Sequence, residues 1–535
     1  VSLIERLRML LIGSSGRLAT IDSAKAAPPP SPLAPVDLTD PGQVTAVMEL
    51  ASRIGEILLS SGTSNSDSKT QIHAVTSAFG LHYVHVDITM NTITLHTSIG
   101  TTRRTPINVF RVVRRMTTDF SKLSEVDRLI RSIQAGATPP EVAENILDDI
   151  VTSPASYGAV TAVLGWGLMG GSVATLLGGG VLVAITATLT AMLLIGVNMF
   201  LDRHRLPVFF QNVFGGIIAT VPAAIIYEVA AELGTEILPS QIIASGIVVM
   251  LAGLTLVQSL QDGITGAPVT ASARFFETLL YTGAIIAGVA IGIQASGLIG
   301  ITLPPLEAIA LPNFSSSSVK VLAGGLAAAG FAIACYAEWS SVLVSSITAT
   351  AGSVCYYFIF LQIGLGEVFA SSLAAVIIGL AGGLLARRFL IPPLITAVVG
   401  ITPMLPGLAV YRGMYASLNE QMLIGFTNIA LALATACGLA AGVVLGEWAA
   451  RRIRRPARFN PYRAFRTARR VSFGKLAVAA NQSVKRLPRR VNRPIGPVPP
   501  AEAAHSGFHP GGGHLQAVAQ EGVDKIQEVG EQQDT

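Results

Sequence analysis

From residue 157 to 449 the sequence is a succession of ten apolar stretches, each long enough to cross a hydrocarbon core of ~30 Å, which takes about 20 helical residues. They run 157–177, 179–201, 207–230, 241–261, 276–300, 319–338, 340–362, 367–386, 391–411 and 422–449. Lipid offers no partner to an unpaired peptide group, so such segments span as helices. Charge supports this reading, because only 13% of the residues are charged against roughly 25% in soluble domains. Arg and Lys crowd residues 103–131 and 451–493, flanking the apolar region. That pattern reports topology rather than nucleic-acid binding. Asp202-Arg203-His204-Arg205, Arg274, Arg387-Arg388 and the Arg-rich segment after 450 all fall on one side of the count, so that side and both termini are predicted to be cytoplasmic. Lys320 and Arg412 are the exceptions.

Ahead of the spans lies a segment of different character. Residues 1–42 hold a short amphipathic stretch, interrupted by Glu5, Arg6 and Arg8 and not expected to be a cleaved signal peptide, and then a Pro-rich linker. Residues 43–151 are expected to form a small α/β domain. Val44, Val47, Met48, Ala51, Ile54, Ile57 and Leu58 mark a helix over 43–60, and a second helix over 66–79 is capped by Ser66 or Asp67. His82–Thr89 and Thr92–Ile99 alternate as strands joined by a tight turn at Met90-Asn91. Helices at 121–135 and 139–151 follow, the second opened by Pro139-Pro140. The basic segment from 450 and the Pro- and Gly-rich tail after about 495 are expected to be unfolded.

The membrane region carries a repeat at an offset of 154 residues. Gly246-Ile-Val-Val-Met-Leu-Ala-Gly-Leu254 lies over Gly400-Ile-Thr-Pro-Met-Leu-Pro-Gly-Leu408, six of nine positions matching, and Ala287-Gly-Val-Ala-Ile-Gly292 lies over Ala441-Gly-Val-Val-Leu-Gly446. Five spans per half make the second half (319–449) enter the membrane with the opposite sense to the first (157–300). This predicts an α-helical polytopic protein built as a 5+5 inverted repeat, with sites at the repeat interface near the midplane. Thr402-Pro403-Met404-Leu405-Pro406-Gly407 should break the ninth span, since each proline removes a donor and crowds the preceding turn. Backbone groups freed there could meet a substrate. Met404, Pro406 and Gly407, their counterparts Met250 and Gly253, and Gln258 are the predicted substrate-binding residues.

Ionisable residues in spans tend to face cavities, so Glu228, Asp262 and Glu338 are candidates for proton coupling, set against the plainer reading that each lies near a span end and reaches water. The dense glycines, Gly170-Gly171, Gly324-Gly325 and Gly382-Gly383 among them, read as helix-packing residues. Cys335, Cys355 and Cys437 sit in apolar runs and read as buried packing residues. His82-x-x-His85-x-Asp87 places only His85 and Asp87 on one strand face, a poor metal site. No Walker loop, GxGxxG or Ser-His-Asp pattern is present, so no cofactor is expected, and if the chain moves a solute uphill an ion gradient is the natural energy source.

The stretch Ala51-Ser-Arg-Ile-Gly-Glu-Ile-Leu-Leu-Ser-Ser-Gly-Thr-Ser64, with Asp67 and Ala78-Phe-Gly-Leu81, resembles the start of the threonine/serine exporter family. Pro139-Pro140-Glu-Val-Ala143, Ser153-Pro-Ala-Ser-Tyr157 and Met404-Leu-Pro-Gly407 are similar to later parts of it, so that the resemblance covers residues 43–450. It implies a soluble domain followed by ten spans that export threonine and serine across the plasma membrane at the expense of the proton motive force. The partners are then threonine, serine, protons and the lipid bilayer, with no nucleic acid; a homo-oligomer is compatible with the pattern. Two alternatives stay open: a membrane-anchored hydrolase using Ser61, His73, His85 and Asp87, and a transporter of another small solute or a dipeptide.

Overall fold

In the computed structural model, the described residues are 36–453, save 101–104, 115, 116, 118, 235, 236, 251, 252, 302, 304–313 and 419, and all of them fall within one compact unit. The predicted amphipathic stretch, the Pro-rich linker and the tail lie outside them.

Residues 41–152 form a helical layer over a small sheet. Helix α1 (Pro41–Ser60) starts on the Asp40 cap, whose carboxylate accepts from Gly42 N, and α2 (Asn65–Ala78) is capped by Ser64. The cap sits earlier than the expected Ser66 or Asp67, because the Ser64 hydroxyl is the one that reaches Asp67 N. Strands β1 (His85–Thr89), β2 (Thr92–Ile99) and β3 (Thr105–Val112) form an antiparallel meander, with Thr89 paired to Thr92 across the Met90-Asn91 turn. Strand β3 was not predicted, although Ile107 and Val109 alternate with exposed Asn108 and Phe110. Ile93 and Leu95 join them on the buried face, against α1. Helices α3 (Phe120–Gln134) and α4 (Pro140–Thr152) complete the layer.

Ten apolar stretches become eight helices long and apolar enough to cross a membrane, one bent pair and one short apolar helix among the described residues. In order they are α5 (Ala159–Leu176), α6 (Val181–Arg203), α7 (Val208–Glu232), the pair α8 (Pro239–Met250) and α9 (Gly253–Ile264), and α10 (Pro268–Leu298). The second series is α11 (Phe314–Ala334), α12 (Trp339–Cys355), α13 (Glu367–Phe389), the pair α14 (Pro393–Ile401) and α15 (Gly407–Leu418), and α16 (Met422–Ile453). A five-residue π-turn, Tyr356–Phe360, continues α12, and a short 3-10 turn, Thr402–Met404, follows α14. The two interrupted helices are the fourth and the ninth in sequence.

Packing within the two series follows one scheme. Helix α5 packs on α6, α6 on α8, α7 on both α8 and α10, and α9 on α10; likewise α11 on α12, α12 on α14, α13 on both α14 and α16, and α15 on α16. The series meet at the centre through α5 and α11, whose apolar windows are the most enclosed, 56% and 61% buried against 33% for α6 and α10. There a β-carbon on Gly165 would lie 2.8 Å from Gly330 O, and one on Gly330 would lie 2.8 Å from Gly165 O. Only glycine permits backbones so close. Trp166 and Phe331 stack edge to face beside this crossing, with ring centroids 5.6 Å apart. The pairs α7–α10 and α13–α16 use the same device, at Gly216 against Gly288 and at Gly379 against Gly446. Outward-facing positions such as Leu193, Phe276, Leu343 and Phe426 are apolar and exposed, as lipid contact requires. Cys335 is buried as predicted and Cys355 half-buried, but Cys437 is exposed on α16, because an apolar run in lipid does not have to face protein.

The N-terminal layer is joined to the helices rather than hung from them. One apolar core runs from Val44, Leu58 and Ile130 through Ala323 and Phe331 to Ile391 and Ile395. Helix ends leave unpaired carbonyls, and here the layer supplies donors: Phe120 N to Cys335 O (2.9 Å), Tyr157 Oη to Ala337 O (2.6 Å) and Arg131 Nη2 to Leu390 O (3.0 Å). Tyr336 and Leu390, which turn the chain at these ends, hold φ of +57° and +58°. Non-glycine residues pay for that conformation, and the contacts with the layer fix it.

Candidate functional site

The break at Thr402–Pro406 borders a cavity of about 590 Å³, within the roughly 300–1,000 Å³ of small-molecule sites. Its apolar walls come from α5 (Val173, Leu176), α8 (Val248) and the break itself (Met404, Pro406). Its polar groups include Lys320, Glu367, Arg412, Tyr356, Tyr357 and Asn428. Lys320, Glu367 and Asn428 enter near the ends of their helices remote from the N-terminal layer: α11, α13 and α16 meet that layer at Cys335, Leu390 and Arg451, at their other ends. The cavity therefore occupies the half of the helical region away from the layer. The π-turn turns successive side chains by less than an α-helix would, and Tyr356 and Tyr357 both reach the wall. The Lys320 ammonium stands 5.8 Å from the Tyr357 ring centroid, within cation–π range. Glu367, in the first turn of α13, acts electrostatically on Arg412, Tyr356 and Tyr357.

Of the residues predicted from sequence, Met404 and Pro406 line this cavity. Gly407 is buried with its missing side chain against the Val248 methyl, so the two interrupted helices touch there. Met250 lies elsewhere, its thioether filling the space over Gly215. Gly253 begins α9. Gln258 faces Gly62 in the α1–α2 turn, its amide 2.9 Å from where a β-carbon would stand.

The three candidate proton carriers are separate from the cavity and from one another. Asp262 is buried and paired with Arg274 at 2.7 Å, the two side chains 1% and 7% exposed. Asn65 seals the pair, its backbone N–H donating to Asp262 and its side chain to Thr270. Glu338 pairs with Arg128 at 2.7 Å at the layer boundary. Glu228 is exposed on α7. Beside Asp262, Arg451 bridges Glu447 of its own helix and Asp67 of α2, at 3.1 and 3.4 Å.

The residues of the hydrolase alternative do not assemble. Ser61 Oγ donates to Ile57 O within its own helix end, and His85 and Asp87 lie on the exposed face of β1. Burial, and then the charges of Lys69 and His85, hold the His73 imidazole below its ordinary value. No group of three metal-ligating residues occurs among the described residues.

Lys320, Glu367, Arg412 and the tyrosine pair were missed from sequence. The signal for two of them was present, since Lys320 and Arg412 are the basic residues that break the charge asymmetry of the loops.

A family model described as "Putative threonine/serine exporter" matches residues 49–295, and one described as "Threonine/Serine exporter, ThrE" matches residues 320–449. The "Threonine/serine exporter" of Corynebacterium glutamicum is 65% identical over 478 residues, covering 89% of this chain and 97% of that protein. The "Probable threonine/serine exporter" of Mycobacterium tuberculosis is 35% identical over 414 residues, covering 76% of this chain and 77% of that protein. No solved structure matches the chain. Both halves of the helical region and the N-terminal layer fall inside these matches, and the chain belongs to the threonine/serine exporter family.

Proposed function

We propose that this multi-pass membrane protein is a secondary active transporter that exports threonine and serine from the cytoplasm, driven by the proton motive force. The two relatives carry threonine/serine exporter descriptions, and a family of transporters leaves no place for the hydrolase alternative. The observation that carries the reading is the cavity at the broken ninth helix, whose Lys320, Arg412 and Glu367 offer both signs of charge to a zwitterion, with Asn428 within the same walls.

The helical region is read as ten crossings in a 5+5 inverted repeat. Supporting this are the equivalent packing schemes, the interruption of both the fourth and the ninth helix, and the reciprocal Gly165–Gly330 crossing. The family models also part between residues 295 and 320, where the two halves meet. Both termini are placed in the cytoplasm of a plasma-membrane protein, with the N-terminal layer on the inner face, beside Arg274 and Arg387. The cavity then faces outward. Met404, Pro406 and Gly407 shape it, Met250 and Gly253 form its counterpart, and Gln258, Asp262 and Glu338 serve the contact with the layer.

The test is efflux of labelled threonine from cells expressing the chain, with and without a proton uncoupler. Efflux above the vector control that collapses with the uncoupler is expected. Efflux indifferent to the uncoupler removes the proton coupling; no efflux from membranes holding folded protein removes the substrate assignment.

A further inference from the structure

We infer that Lys320 is the anchor for the carboxylate of the transported amino acid, with Glu367 across the same cavity receiving its ammonium group; this rests on the exporter reading above. A cation within an apolar helix is costly and is normally compensated by a carboxylate or by backbone carbonyls. Three other buried or half-buried cations of the helical region obey that rule: Arg274 has Asp262, Arg387 has Gly383 O, and Arg451 has Glu447 and Asp67. Lys320 does not. It is half-buried in α11, no ion pair joins it to any described carboxylate, and its ammonium stands over the face of Tyr357. An aromatic face orients an ammonium and leaves its three N–H donors unspent.

The charges of the cavity carry the same message. Two cations, Lys320 and Arg412, share one carboxylate, Glu367, among the lining residues, and Glu367 acts on Arg412. Lys320 has no ion pair with a described carboxylate, so its ammonium is open to an anionic group of a ligand. A free α-amino acid brings that anion together with a cation, and Glu367 lies on the same walls to receive the latter. An amino amide or a peptide carbonyl would not neutralise Lys320 at all. The recognised class is therefore an α-amino acid with both α groups free.

The experiment measures threonine and L-threoninamide, whose carboxylate is replaced by a neutral amide, as competitors of labelled threonine efflux and as ligands of the purified full chain. A charge-assisted hydrogen bond lost at Lys320 should weaken threonine by about 10- to 100-fold in Lys320→Gln. Lys320→Arg should restore most of the affinity. Wild type should prefer threonine to threoninamide by a similar factor, and Lys320→Gln should lose that preference. If wild type exports threonine and binds threoninamide equally well, the assignment of Lys320 is overturned while the exporter reading stands. The same holds if Lys320→Gln keeps wild-type affinity. If wild type exports no threonine, the exporter reading itself fails. Should Lys320→Gln not fold, the preference of wild type between the two ligands still decides.

Discussion

The two interrupted helices differ in what fills them. At the fourth, Met250 packs over Gly215 and α9 runs on to a sealed ion pair beneath the N-terminal layer. At the ninth, Met404 and Pro406 border about 590 Å³ of cavity beside Lys320, Glu367 and Arg412. Similar sequence, Met-Leu-Ala-Gly against Met-Leu-Pro-Gly, thus supports one occupied break and one open one. The prolines explain part of the contrast, since two of them in Thr402–Gly407 prevent the turn from closing, whereas the fourth helix has none between Pro239 and Ile264. The layer explains the rest, because it covers the ends of the helices on one face only. Two halves packed by one scheme need not hold one conformation.

That contrast can be broken at its closed end first. Asp262→Asn leaves the Arg274 guanidinium buried without its counter-charge, and Nε and Nη2 of Arg274 already lack partners. A loss of about 3–5 kcal/mol is expected, read as a lowered midpoint in thermal unfolding of the full chain in detergent. An unchanged midpoint would mean that this pair does not hold the closed face. Trimming the two methionines sharpens the comparison. Met250→Ala should cost about 2 kcal/mol or more, since its thioether fills packed space, and Met404→Ala under about 1 kcal/mol, since its side chain already borders a void. Equal losses in the same unfolding measurement would erase the difference between the breaks. The smallest effect is expected at the rim of the layer. Arg128 and Glu338 are 53% and 32% exposed, and Arg128→Ala should cost no more than about 1 kcal/mol. A larger loss would make the rim, rather than the buried pair, the principal fastening.

Much of this architecture was legible before the coordinates. Helix spans and the interruption of the ninth helix follow from local chemistry, the length of apolar runs and the placement of Pro403 and Pro406; eight of the predicted stretches appear as helices long and apolar enough to cross a membrane, the fourth as a bent pair and the ninth as a short helix before its break, with ends shifted by up to eight residues. Strand β3 was overlooked because Pro106 and the basic residues before it masked an alternation that is plain at Ile107 and Val109. The site was harder. Met404 and Pro406 were found because a broken helix is visible locally, but Glu367 reads as an ordinary acidic residue in the first turn of a helix. Only the fold brings it to the same walls as Lys320 and Arg412, from three separate helices. Asp262 illustrates the reverse: an intramembrane carboxylate in sequence, it is a fastening once Arg274 and Asn65 are placed around it.

The meeting of Gly165 with Gly330 has a mechanical meaning. Most helix pairs interlock side chains, so turning one against the other requires each to climb out of its slot. Where bare backbones touch, nothing has to be lifted out, and the two segments can swivel with no rotamer changing. Such a contact behaves as a plain bearing rather than as meshed gears, and it lies at the innermost pair of helices, with Trp166 and Phe331 as bulky stops at its side. A rocking motion of one half on the other would have its pivot here, where the least material moves and the least has to be rebuilt.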